Sequence, residues 1–137
     1  MSFGSAPSPT LDDHVRSERE HEVKYILQMI VDESSWQNLS PEEMQPMIDA
    51  MEGFNDELRA AGAWVSGEGL DYSSDAKTVR VSDGNRTVTD GPYGSGKEQL
   101  GGLWIIEAEN MDDAVGWAQR VPMTNGSIEV RGLIPEE

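Results

Sequence analysis

The sequence contains no cysteine, which excludes a disulfide framework, a thiolate metal site and a thiol nucleophile. Histidine is nearly as scarce. Only His14 and His21 occur, both near the N-terminal end, so the usual general base and metal ligand is missing from the remaining sequence. A metal site there would need oxygen ligands alone, and no calcium-loop spacing is present. No cofactor is expected. Basic residues are also few: ten Lys and Arg stand against 26 Asp and Glu, a formal charge of −16. A polyanion partner requires a basic face, so nucleic acid is not expected to bind. The acidity reads either as a well-solvated or salt-adapted surface, or as a preference for a cationic partner. No apolar run approaches the length of a membrane span or a signal-peptide core. The expectation is a soluble, cytoplasmic protein without a membrane partner.

What is present suffices for one domain. The chain has 137 residues, four Trp, two Phe and an ample supply of aliphatic side chains, enough for a two-layer core. Residues 1–21 mix Pro, Ser, Gly and charges of both signs without apolar periodicity, and are expected to form a flexible N-terminal extension. The domain then runs over 22–137. Val23 to Val31 is rich in β-branched and aromatic residues and reads as a central strand buried on both faces. Ser40-Pro41-Glu42-Glu43 supplies an N-cap, a first-turn proline and a capping box. The helix it starts reaches Ala61 and stops at Gly62. Met44, Met47, Ile48, Met51, Phe54 and Leu58 recur at spacings of three and four and are read as core packing, in preference to an adaptable ligand surface.

Strand signals resume at Ala63 to Leu70, where Gly67 and Gly69 bracket Glu68, a candidate general base or a solvated turn residue. Thr78 to Val81 and Arg86 to Thr89 flank Asp83-Gly84-Asn85, a strong hairpin signal. Gly102 to Ala108 reads as another buried strand. Asn110 caps a second helix reaching about Arg120, with acids in its first turn. Ser127 to Arg131 alternates as a final strand.

The stretch Asp90 to Gly102 holds five of the chain's fourteen glycines and reads as an irregular loop forming the floor or lid of a site. Gly91 to Lys97 matches the spacing of a phosphate-binding loop. Glu98, however, stands where a hydroxyl would hold magnesium, Pro92 removes a backbone donor, and the following strand comes too soon for the required helix. Nucleotide hydrolysis is therefore not expected.

Strand, helix, strand, inserted hairpin, strand, helix, strand is the order of an α+β ferredoxin-like sandwich with both helices on one sheet face. The other face needs a cover, for which a homodimer joining sheets face to face is expected.

Leu39 to Glu43, Phe54 to Gly62, Gly67 to Leu70, Asp90 to Tyr93, Lys97 to Gly102 and Ile128 to Arg131 together resemble the YCII-related (YciI-like) family, specifically its DGPF-domain branch. The resemblance spans about residues 22–134 and implies a ferredoxin-like, dimeric α-β-barrel fold. Tyr93 replaces the phenylalanine for which the branch is named. Family members with a proposed enzymatic role pair a first-helix histidine with an aspartate; that position falls near Met51, so the dyad does not carry over. Many DGPF relatives are encoded beside extracytoplasmic-function sigma factors, which implies a regulatory or accessory role.

Two functional expectations result. The first is a dimer that binds an unidentified small molecule, or acts as an accessory protein, through a cleft lined by Trp64, Glu68, Asp90, Tyr93, Lys97, Glu98 and Trp104. The second is a lyase- or isomerase-type enzyme with Asp90 or Glu68 as general base and Lys97 stabilising a developing oxyanion. The bland alternative keeps Asp90 as a turn cap, Lys97 as a surface ion pair and Glu98 as a solvated acid. The first reading is preferred, because a core without His or Cys has only weak catalysts near neutral pH.

Overall fold

The computed structural model describes residues 23–135; the expected extension over 1–21, with both histidines, lies outside them. Six strands and three α-helices form an α+β fold: β1 (Val23–Asp32), α1 (Ser34–Gln37), α2 (Pro41–Ala60), β2 (Trp64–Gly69), β3 (Lys77–Ser82), β4 (Asn85–Asp90), β5 (Glu98–Ala108), α3 (Met111–Ala118) and β6 (Ser127–Gly132). A 3-10 turn at Ser73–Asp75 lies between β2 and β3. The main sheet is antiparallel in the order β2-β5-β1-β6, which is compatible with a ferredoxin-like arrangement.

The helix ends follow their local chemistry. Ser40 Oγ accepts the Glu43 N–H at 3.1 Å while Glu43 Oε1 accepts the Ser40 N–H at 2.8 Å, so both residues of the capping box satisfy a first-turn donor. At the other end Gly62 takes φ 74° and the Ala63 N–H returns to the Leu58 carbonyl at 2.9 Å, closing the helix as a glycine at this position allows. Asn110 Oδ1 caps α3 by accepting the Asp113 N–H at 2.9 Å.

Alternation along β1 and β5 sends Tyr25, Leu27, Met29, Val31, Trp104, Ile106 and Ala108 to one face, where they are buried with Phe54, Leu58 and Ala114. Phe54 meets the edges of Trp104 and Trp117 at ring separations of 5.3 and 6.2 Å, joining α2, the sheet and α3 in one core. An ion pair from Arg120 to Glu57 adds a surface link between the helix regions. The opposite sheet face carries Ile26, Ile30, Leu103 and Ile105, all half-buried. The expectation that β1 is buried on both faces is thus corrected, because both long helices pack on one side.

The hairpin stands as its own two-stranded sheet, β3 paired with β4. Asp83 and Gly84 form its turn at φ 51° and 80°, the left-handed pair that a two-residue hairpin requires. Its root is tied by the Gly91 N–H to Ala76 O at 2.7 Å and by Lys77 Nζ to Asp90 Oδ1 at 2.6 Å. Val79, Val81 and Val88 share one face and all lie more than half exposed. The expected loop is also shorter than read: β5 starts at Glu98, so Gly101 and Gly102 are strand residues. Met29 pairs with Gly102 and Ile30 with Leu100, leaving Gly101 as an extra residue at a bulge.

Candidate functional site

The end of β1 is pinned by two acids. Asp32 Oδ1 accepts the Ser34 hydroxyl at 2.6 Å and the Ser34 N–H at 3.0 Å. These bonds, with a smaller contribution from the Lys97 charge, hold the Asp32 carboxyl below its ordinary value of 3.8. A depressed folded pKa means that the associated stabilisation is fully present above the unfolded value and is lost as pH falls through the folded one. The Asp32 carboxyl resonance in an NMR pH titration is therefore expected to have its midpoint below 3.8, and Ser34→Ala should return it toward that value.

Glu33 is buried at 8% exposure and accepts both the Ser73 hydroxyl at 2.6 Å and the Ser73 N–H at 2.9 Å. A contact across forty positions of sequence thereby fastens the segment after β2 to the end of β1. The fastened segment, Leu70 to Tyr72, forms one side of a cleft of about 440 Å3. Met44, Met47, Ile48, Met51 and Asn55 of α2 form another side, with Trp36 of α1 beside them. Met29, Gly67, Gly101, Gly102 and Trp104 belong to the sheet beneath.

Glycine lets the rings lie against the sheet backbone. A Cβ on Gly67 would stand 2.8 Å from both Trp104 Cδ1 and Trp64 Cη2, and one on Gly101 would stand 2.8 Å from Val31 Cγ2. Trp104 is held in place by donating its indole N–H to Asn55 Oδ1 at 2.7 Å and by the Phe54 ring. Its orientation is set by the core, and it is among the residues that line the open space.

This overturns the reading of Met44, Met47 and Ile48 as core, whereas Met51 does pack against it. Only Phe54 and Leu58 of the stripe are buried; Met44, Met47 and Met51 are half-buried and Ile48 is 40% exposed. The first half of α2 stands over the cleft because the glycine-containing strands below it provide no side chains to fill the gap.

The family model of the YCII-related domain matches residues 23–137, which include the entire described fold. The chain belongs to the YCII-related domain family. An uncharacterised protein of Rhizobium meliloti (strain 1021) is 41% identical over 61 residues, covering 42% of this chain and 49% of the relative. The chain thus spans about half the length of the curated relative it matches.

Within this YCII-related domain the sequence-designated residues fall in several places. Trp104 and Glu68 line the cleft. Glu68 pairs with Leu103 on the sheet face away from the helices, so strand alternation turns its carboxylate outward. Its carbonyl oxygen lies 3.1 Å from where a Gly102 Cβ would be. Trp64 packs beside Gly67 and under the Arg59 guanidinium, 4.1 Å from the ring centre. Asp90 is tied to Lys77 at the hairpin root, and its side chain is 86% exposed. Tyr93 is 84% exposed, with the Arg80 guanidinium 5.8 Å from its ring. Lys97 lines a shallow depression with Asp32 and Gln99, and Glu98 is exposed at the start of β5.

The structure therefore brings Trp104 and the Glu68 backbone to the cleft, and distributes Asp90, Tyr93 and Lys97 over the hairpin root and its loop. Lys97 leads into a strand, which leaves the phosphate-loop spacing without its helix. Among the described residues no cluster of three or more His, Cys, Asp or Glu is arranged to hold a metal ion, and no helix is long and apolar enough to cross a membrane. The cleft residues that sequence reasoning passed over include Met29, Glu33, Trp36, Glu52, Asn55 and Leu70 to Tyr72. Trp36 carried a usable signal: a lone tryptophan in a polar stretch between a strand and a capped helix.

Proposed function

We propose that this YCII-related domain is a homodimeric small-molecule-binding protein, with the ligand held between α2 and the sheet. The observation that carries the proposal is the apolar cleft of about 440 Å3 left open by the protein's own side chains. That volume lies within the range of roughly 300–1,000 Å3 typical of small-molecule sites. Unbranched, polarisable methionines give its α2 side an adaptable lining, and Trp36 and Trp104 offer flat apolar surface. The motif Asp90-Gly91-Pro92-Tyr93 supports placing the chain in the DGPF branch, with ligand binding serving an accessory or regulatory role.

Support for the dimer comes from the outer sheet face, where Ile26, Ile30, Leu103 and Ile105 stand opposite both long helices. A second copy laid on this face would remove them from water and complete the two-sheet arrangement of a dimeric α-β barrel. Sedimentation of the full chain should give twice the monomer mass, and Ile105→Glu should give monomers. A monomeric wild type would remove the dimer from the proposal without touching the cleft.

The cleft is tested with 4-phenylbutanol, a neutral apolar probe, in titration calorimetry. One site per chain is expected, with affinity at least about tenfold weaker in Met47→Lys, since an ammonium must then be desolvated or displaced for the probe to enter. Met47 is half-buried, so the variant should remain folded by circular dichroism. Absence of binding to the wild type, or equal binding to the variant, would overturn the assignment.

A further inference from the structure

We propose that the ligand class for this cleft is an organic cation, an ammonium or similar group carried on an apolar body. The inference rests on the preceding reading of the cleft as a small-molecule site and adds the chemistry of what enters it. The apolar part follows from Met44, Met47, Met51, Trp36 and Trp104, all of which line the space.

The charge follows from what surrounds them. Among the described residues the charged side chains lining the cleft are Glu33, Glu52, Glu68 and Asp71, and no lysine or arginine lines it. Glu68 directs its carboxylate to the other sheet face, which leaves three. Glu33 is buried with its oxygens bonded to Ser73, which fixes its place at the cleft wall. Glu52 has no hydrogen-bond or ion-pair partner among the described residues. Asp71 stands exposed on the segment that Glu33 fastens in place, bonded through Oδ1 to the Tyr72 N–H.

Lys97 stands in the neighbouring depression beside Asp32 and Glu33, so Glu52 and Asp71 are the lining acids with no described cation beside them, and four other cations are committed elsewhere. Arg59 pairs with Asp56, Lys77 with Asp90, Arg120 with Glu57 and Arg131 with Glu129. A cleft with low-dielectric walls and charge of one sign concentrates the opposite charge. Trp36 and Trp104 in the lining reinforce that choice, because a ring quadrupole attracts a cation that reaches its face. A ligand carboxylate would meet uncompensated like charge, and a neutral ligand would gain only the apolar contacts.

The test uses three probes with one carbon frame: 4-phenylbutylammonium, 4-phenylbutanol and 4-phenylbutyrate, titrated into the full chain near neutral pH. The ammonium is expected to bind about tenfold more tightly than the alcohol, a difference of about 1.4 kcal/mol, and the carboxylate most weakly. In a Glu52→Gln, Asp71→Asn double variant the ammonium should fall to within about twofold of the alcohol, while alcohol binding is retained as the sign of an intact cleft. Raising NaCl from about 50 mM to about 0.5 M should also narrow the ratio in the unmodified protein, because exposed charges are screened over a shorter length.

Equal binding of ammonium and alcohol, or tighter binding of the carboxylate, would overturn the cation class and leave the cleft as a small-molecule site. Failure of all three probes would instead sink the small-molecule site itself. If Met47→Lys changes the mass in sedimentation, a second copy occupies the cleft, and the cation inference falls.

Discussion

Replacing Leu27 by alanine is expected to lower the unfolding free energy by about 3–4 kcal/mol, near the middle of the range for buried leucines. Leu27 is at 0% exposure in the middle of β1, with Trp104 beside it on β5 and Val130 on β6. Strands hold their register through the backbone ladder, so these neighbours cannot collapse freely into the vacated volume. The cost therefore includes a cavity term as well as lost transfer energy. For a domain whose whole stability is about 5–15 kcal/mol, this is a large fraction. Chemical denaturation with an unchanged m-value would check it. A loss below about 1 kcal/mol would mean that the face is not packed as described.

The adjacent substitution Ile26→Ala reports on the other face of the same strand. Ile26 is half-buried in the single chain, so a monomer should lose about 1 kcal/mol or less. A dimer that covers this face should lose more, with a midpoint that rises with protein concentration. Comparing the two neighbours separates the core from the proposed interface without disturbing the cleft.

The same alternation marks how far sequence reasoning reaches. Capping at Ser40 and Glu43, the Gly62 stop and the Asp83-Gly84 turn were legible because each depends on atoms within a few residues. The succession of strands and helices along the chain was legible through the spacing of those elements. The use of the methionine stripe was not, since a period of 3.6 identifies an apolar helix face without identifying what lies opposite it. Phe54 and Leu58 face filled strand positions, whereas Met44 and Met47 face glycines and a segment placed by the long-range Glu33–Ser73 contact.

Glycine density was a partial guide to the cleft. Gly101 and Gly102 do line it, but the charged and aromatic residues earlier in the same stretch belong to the hairpin root and its loop. Linear proximity could not reveal that separation because β5 begins between Lys97 and Leu100 and carries the later residues into the sheet. The acids that set the character of the cleft come from three distant segments: the end of β1, α2 and the chain after β2.

Gly126→Ala is expected to destabilise the fold by about 3 kcal/mol, combining strained backbone with overpacking. Gly126 has φ 122°, and a Cβ there would lie 2.6 Å from the Ile30 carbonyl oxygen and 2.6 Å from Met123 Cε. Met123 has a flexible end that can swing away. Ile30 cannot move as readily, because it is held in β1 by pairing with Leu100 and Ser127. The expected result is a lower unfolding midpoint together with faster amide exchange in β6, the strand that Gly126 introduces. Gly53→Ala provides the opposing case: it lies within α2, with nothing within 4 Å of the added carbon, and should stabilise by about 0.5–1 kcal/mol through helix propensity. Equal effects at the two sites would show that glycine at 126 serves no special geometry. Opposite signs would tie its cost to the positive φ and the approach of the Ile30 carbonyl together, and hence to the docking of β6 beside the strand that leads to the cleft.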